Sequence, residues 1–173
     1  MTPRLLGSIV AILALAVDQA NKHWLIFVFD IELNQPVRLT PFFDVIYARN
    51  PGISYSLFRA TSDFGRWTLF GLALAATFLL AIWLWRIRSL PTALALGLII
   101  GGALGNAYDR FAYGFVADFY HFHLGGFSWD VFNLADVGIV AGVALLIGES
   151  MFGRQDRETA EKPKVDREAR PRL

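Results

Sequence analysis

The chain contains no cysteine, which excludes disulfides, a thiolate nucleophile and cysteine-ligated zinc together. It also lacks a glycine-rich phosphate loop, a His-Glu-x-x-His helix and a Gly-x-Ser-x-Gly elbow, so the common motif-bearing enzyme classes find no support. There is no internal repeat of the kind that builds secondary carriers, and no basic stripe interleaved with aromatics to suggest nucleic acid. Charge is scarce: charged residues make up 18% of the chain against 55% hydrophobic, and 16 basic and 15 acidic groups nearly cancel. With 173 residues and a mean hydropathy of +0.44, the chain is long enough for one domain and too apolar for an ordinary soluble one. It reads as a small multi-pass membrane protein whose chemistry must run on oxygen and nitrogen.

Four apolar spans stand out. Leu5 to Val17 alone is short enough for a secretory signal, with Ala14-Leu15-Ala16 as a candidate cleavage site. Apolar residues resume at Trp24, however, so Leu5 to Phe29 makes one span with a polar knot of Asp18, Gln19, Asn21 and Lys22 inside it. Asp18 and Lys22 are four apart with the acid first, the favourable order for a same-face ion pair. Trp67 to Trp85 is bracketed by Arg66, Arg86 and Arg88. The third span, Leu90 to Tyr108, opens with Pro91 in its first turn and spaces Gly97, Gly101 and Gly105 by four, a small-residue face for close helix packing. Val131 to Gly148, with Gly138 and Gly142, is the fourth. Four spans put both termini on one side, and the Arg86/Arg88 loop with the basic residues of the tail makes that side cytoplasmic. Residues 1–152 are expected to form a single membrane-embedded domain, and 153–173, mixed in charge and almost free of apolar residues, a disordered cytoplasmic tail.

The two outer segments lie between these spans. Asp30 to Arg66 carries Pro36, Pro41 and Pro51 among short β-prone pieces such as Phe43 to Ala48, predicting short strands rather than another helix. Its Arg38, Arg49, Arg59 and Arg66 are candidate contacts to substrate or lipid headgroups. Val116 to His123 and Phe127 to Val131 flank Gly125-Gly126 as a hairpin. Open strand edges are not tolerated in hydrocarbon, so a small sheet must lie at the interface or against the helices.

Asn106, Asp109, Arg110, Asp118, Asn133 and Asp136 cluster at the ends of two apolar runs, and charges at such depth imply function. Asp118 lies just beyond the third span and Asp136 about one and a half turns inside the fourth, so the fold can bring them together at the outer surface. Two acids that meet share a proton, leaving one carboxylate to activate water and one acid to protonate substrate. Peptide hydrolysis, helix-knitting polar contacts and a proton relay all fit these groups, and spacing alone does not choose among Asp18, Asp109, Asp118 and Asp136. His121 and His123 alternate on a strand and face one way, but a zinc would want a third ligand from His23 or a carboxylate. Interfacial histidines are the simpler reading, and no metal or cofactor is expected.

Five ordered blocks resemble the lipoprotein signal peptidases, or signal peptidase II, of bacterial inner membranes: Asp18-Gln-Ala-Asn-Lys22, Arg49-Asn50-Pro-Gly52-Ile-Ser-Tyr-Ser56, Gly101 to Arg110, Gly114 to Phe119, and Phe132-Asn133-Leu-Ala135-Asp136. Together they cover roughly Asp18 to Gly148. The resemblance implies an aspartyl endopeptidase that cuts prolipoproteins N-terminal to a diacylglyceryl-modified cysteine, with Asp118 and Asp136 catalytic. It further implies Asn50, Gly52, Asn106, Arg110 and Asn133 as substrate-binding residues and Asp18, Lys22, Asp109 and Ala135 as supporting ones. The fold implied is all-α and membrane-integral: four transmembrane helices, a small outer antiparallel β-sheet cradle and a short outer helix near Ala60 to Arg66. The implied partners are the modified prolipoprotein and membrane lipids, with a monomer sufficient and the site near the periplasmic face. Ser54 and Tyr55 stand where Ala and Phe are commoner in the family, and Trp129-Asp130 where many members carry Pro. Asp130 is expected to cap the fourth helix rather than act as a third acid.

Overall fold

Thr2 starts the first helix, α1 (Pro3–His23), by accepting the Leu5 N–H on its side chain with Pro3 behind it in the first turn. A π-helical turn, Trp24–Val28, extends it, so the polar knot is carried through one continuous span as expected. Asp30 then turns the chain in a left-handed conformation, which a short polar side chain tolerates. The computed structural model describes residues 1–52 and 63–161, with side chains through Met151. A four-residue helix, α2 (Ile31–Asn34), precedes strands β1 (Val37–Thr40) and β2 (Phe43–Asn50); α3 (Asp63–Arg86), α4 (Leu90–Ala112), β3 (Val116–Leu124), β4 (Phe127–Ser128) and α5 (Leu134–Glu161) follow.

Four helices are long and apolar enough to cross a membrane. α4 is the central one: 61% of its apolar window is buried, against 17% or less in each of the others. Its small residues explain this. A Cβ on Gly101 would stand 2.5 Å from the Ala11 carbonyl oxygen of α1, so the two backbones touch as the glycine spacing predicts. Ala11, Leu84, Ala93, Leu96 and Ile100 form the core where α1, α3 and α4 meet. Outward-facing Leu72, Phe78, Leu79 and Val140 remain exposed, a surface suited to lipid rather than water.

The four strands make one antiparallel sheet in the order β1-β2-β3-β4. Both outer segments therefore meet at one end of the bundle, with β2 paired to β3 across the sequence. Leu25, Ile31, Val45, Ala117 and Phe119 bury the seam between sheet and helices, and Tyr120 Oη donates to Asn21 Oδ1 at 3.0 Å.

Several boundaries differ from the sequence reading. The first outer segment holds the short helix α2 as well as strands, because Asn34 Nδ2 closes its turn on the Phe29 and Asp30 carbonyls. β4 is two residues long rather than reaching Val131. α5 begins at Leu134, not Val131, because Phe132 is held extended by a bridge to Tyr120. Asp130 therefore lies too far upstream to cap it. At the other end α5 continues as helix past 152 to Glu161, through residues of good helix propensity. Residues 162–173 of the expected tail lie outside the described residues, as do Ser54, Tyr55, Arg59 and the start of the expected helix at Ala60; Asp63 to Arg66 form the first turn of α3.

Candidate active site

Asn133 and Asp136 cap one another. Asn133 Oδ1 accepts the Asp136 N–H at 3.0 Å, and Asp136 Oδ2 accepts the Asn133 N–H at 3.1 Å, satisfying two orphan donors of the helix start reciprocally. The Asp136 carboxylate is thus fixed in the first turn of α5, where the helix dipole favours negative charge. Its Oδ1 accepts Asn106 Nδ2 from α4 at 2.8 Å.

Asp118 comes from β3 and is 2% exposed. Its Oδ1 accepts Asn133 Nδ2 at 2.6 Å and its Oδ2 accepts Asn50 Nδ2 at 3.0 Å. Asn50 ends β2 and is oriented by the Gly52 N–H, which donates to its Oδ1 at 3.0 Å. Asn133 therefore holds both acids, Asp118 with its side chain and Asp136 with its cap. Burial pushes the Asp118 carboxyl up to about 7; the neighbouring Asp136 charge adds to the rise, and hydrogen bonds from Asn50 and Asn133 oppose it.

Behind the pair is a buried ion cluster. Lys22 Nζ lies 2.9 Å from Asp18 Oδ2 and 2.7 Å from Asp109 Oδ2, and donates to Asn106 Oδ1 at 3.3 Å. Three donors meet three acceptors. Each carboxylate also grips a backbone: Asp109 Oδ2 accepts the Ala117 N–H at 3.1 Å and Asp18 Oδ1 the Ala135 N–H at 2.9 Å. Ala117 immediately precedes Asp118 and Ala135 immediately precedes Asp136. The cluster thus sets the height of both acids through the residue before each. Only glycine fits beneath it at 105, since a Cβ there would lie 2.6 Å from Asp18 Oδ2.

Gln19 belongs to this network although the sequence reading leaves it without a role. Its Nε2 reaches Asp18 Oδ2, Asp109 Oδ1 and the Gly105 carbonyl at 3.0–3.2 Å. The available signal was its place on the same helix face as Lys22, three residues on. Arg110 donates from Nη1 to the Asn106 carbonyl at 3.2 Å and from Nη2 to the Gly52 carbonyl at 2.9 Å. Its buried Nε has no acceptor among the described residues, leaving a donor for an incoming carbonyl. Arg49 instead pairs with Glu32 at 3.0 Å.

Beside Asp136 opens a groove of about 740 Å³, apolar along Phe43, Phe122, Trp129, Val137 and Val140. The eleven residues singled out from sequence thus fall in one hydrogen-bonded network that ends at an apolar groove. Chemically, two acids linked by one amide beside a free guanidinium donor suit general acid–base attack on a carbonyl.

Comparison with known proteins bears on the family and the fold. The family model described as signal peptidase (SPase) II matches residues 10–152. A lipoprotein signal peptidase of Methylocella silvestris is 65% identical over 162 residues, covering 94% of this chain and 95% of the relative. One from Beijerinckia indica subsp. indica is 69% identical over 147 residues, covering 85% and 88%. Among solved structures, a bacterial membrane enzyme determined in meso at 2.3 Å resolution superposes with a TM-score of 0.74 at 23% identity, over 91% of this chain and 92% of that one.

Proposed function

Because the chain belongs to the signal peptidase II family, we propose that it is a lipoprotein signal peptidase of the bacterial inner membrane and that Asp118 and Asp136 are its catalytic acid pair. The substrate is a prolipoprotein carrying a diacylglyceryl-modified cysteine, cut on the N-terminal side of that cysteine. The observation that carries the reading is the shared grip of Asn133 on two acids from different elements. Residues 1–152 form the peptidase domain, which acts as a monomer. Both termini are cytoplasmic, which puts the sheet and the acids at the periplasmic end.

In this mechanism Asp118 holds the proton and Asp136 is the base. Asp136 takes a proton from water as its oxygen attacks the scissile carbonyl, and Asp118 protonates the carbonyl oxygen. Collapse of the tetrahedral intermediate returns a proton to the leaving amine, producing a free carboxyl and an amino terminus. Arg110 Nε and the Asn106 amide orient the peptide, and the groove beside Asp136 takes an acyl chain.

The direct test is cleavage in detergent of a diacylglyceryl-modified precursor, with mass spectrometry of the new terminus; a product beginning anywhere but at the modified cysteine rejects the assignment. Precursor without the lipid should be turned over far more slowly. Losing the burial of even four methylenes costs about 3 kcal/mol, roughly a hundredfold in kcat/KM, and equal turnover of the two precursors removes the groove's role.

The pH profile follows from the raised carboxyl of Asp118. The acid form required for protonation persists below about 7 and is lost as the pH rises through it. Activity should therefore fall on the alkaline side with an apparent pKa near 7, a value belonging to the pair. A flat profile from pH 6 to 9 contradicts it. EDTA should leave turnover unchanged, because neither acid needs an ion to act; inhibition reversed by zinc would falsify this mechanism.

A further inference from the structure

His121 and His123, alternate residues of β3, carry more than the hydrolytic mechanism uses. The β2–β3 register places Asp44 directly across from His121, which supplies the third ligand that the sequence left unidentified. One ligand atom from each of Asp44, His121 and His123 lies within 4.8 Å of the other two. His123 Nε2 is already 3.0 Å from Asp44 Oδ2, and the two imidazole centroids are 5.2 Å apart.

The carboxylate gives the second observation. Asp44 is 7% exposed, yet its Oδ1 has no hydrogen-bond partner among the described residues. The nearest cation is Arg38 Nε at 3.5 Å on a side chain that is 73% exposed, too distant for a hydrogen bond. A buried carboxylate oxygen without a donor is costly. An ion bound between it and two imidazoles removes that cost.

We propose that Asp44, His121 and His123 form a binding site for a divalent transition-metal cation such as zinc. Two imidazole nitrogens and one carboxylate oxygen are a ligand set that zinc takes, with water completing a tetrahedron. Bringing the ligand atoms to about 2.0–2.2 Å from one ion requires them to converge by about an ångström, and His121 must exchange its contact with Ser128 Oγ, now 2.8 Å. These are side-chain rotations on a half-exposed sheet face. The site is not catalytic: Asp118 and His121 are three residues apart on one strand and so face opposite sides of the sheet. The ion would tie β2 to β3 at the Asp44 end of their pairing, away from the end where Asn50 meets Val116, so turnover does not depend on it.

The test uses the full chain, purified without a histidine tag and stripped with EDTA. Zinc chloride titrated into it by calorimetry should bind one ion per chain, and cobalt chloride should give visible bands of a low-coordinate complex that zinc displaces. His121→Gln, His123→Gln and Asp44→Asn should each weaken zinc by about tenfold or more, with His23→Gln as the unaffected control. In the unsubstituted chain, zinc should suppress diethyl pyrocarbonate labelling of His121 and His123, a reading that needs no variant to fold. Absence of saturable zinc binding, unchanged affinity in the three variants, or labelling indifferent to zinc would each overturn the site.

Discussion

Replacing either Asp118 or Asp136, the proposed acid pair, by Asn should lower cleavage of a lipid-modified prolipoprotein by about 10²–10⁴-fold. The folded yield stays close to the parent's, and the contacts explain why. Every described partner of the two carboxylates is an amide or backbone N–H, so an Asn keeps one accepting oxygen and turns one bond into a donor facing a donor, a loss of about 1–3 kcal/mol. At Asp118 part of this is offset. A carboxyl whose folded pKa is raised from 3.8 to about 7 contributes stability that is lost as pH rises through that range. Above pH 7 the Asp118→Asn protein should accordingly melt within a few degrees of the parent. The double variant should fall little below either single one, since the acids act as a unit. Wild-type turnover in either single variant, measured beside a melting curve, would remove the pair from the mechanism.

Lys22→Met should destabilise the protein by about 3–5 kcal/mol, because it strands Asp18 and Asp109 without their shared counter-charge. Lys22 is 2% exposed and both acids are equally enclosed, so water cannot replace the ammonium. Activity should fall further than stability explains, because Asp18 and Asp109 hold the backbone N–H groups of Ala135 and Ala117. Adding Asp109→Asn to Lys22→Met should restore part of the stability by removing one unpaired charge. Chemical denaturation in detergent measures the first effect and kcat at pH 6 the second. A stability change under about 1 kcal/mol would mean that the cluster is more solvated than its geometry implies.

What could be read from the chain divides by range. Asp18 and Lys22 were legible as a pair because helix geometry alone brings positions four apart together, and the glycine spacing of α4 was legible because it is periodic. Asp109 as the second partner of Lys22 was not, since it depends on how α1 lies against α4. Likewise Asp44 meets His121 only through a strand pairing some 77 residues apart in sequence, and no local pattern encodes that register. The start of α5 was misplaced for a different reason: hydropathy continues through Val131 and Phe132, whereas the helix starts where Asn133 supplies a cap. The five motif blocks named the acids and their amides, and packing supplied the order in which they touch.

The cap has a thermal consequence. Helix ends fray before their middles, and the carboxylate proposed as base occupies a terminal turn of α5. The Asp18 bond to Ala135, the Phe132 bridge to Tyr120, the Asn106 amide on Asp136 and the Asn133 amide on Asp118 restrain it. Opening that single turn releases Asn133 and with it the alignment of both acids, while the four long helices stay packed. Inactivation on warming should therefore run ahead of the cooperative melt, which turnover and far-ultraviolet circular dichroism followed on one sample would show.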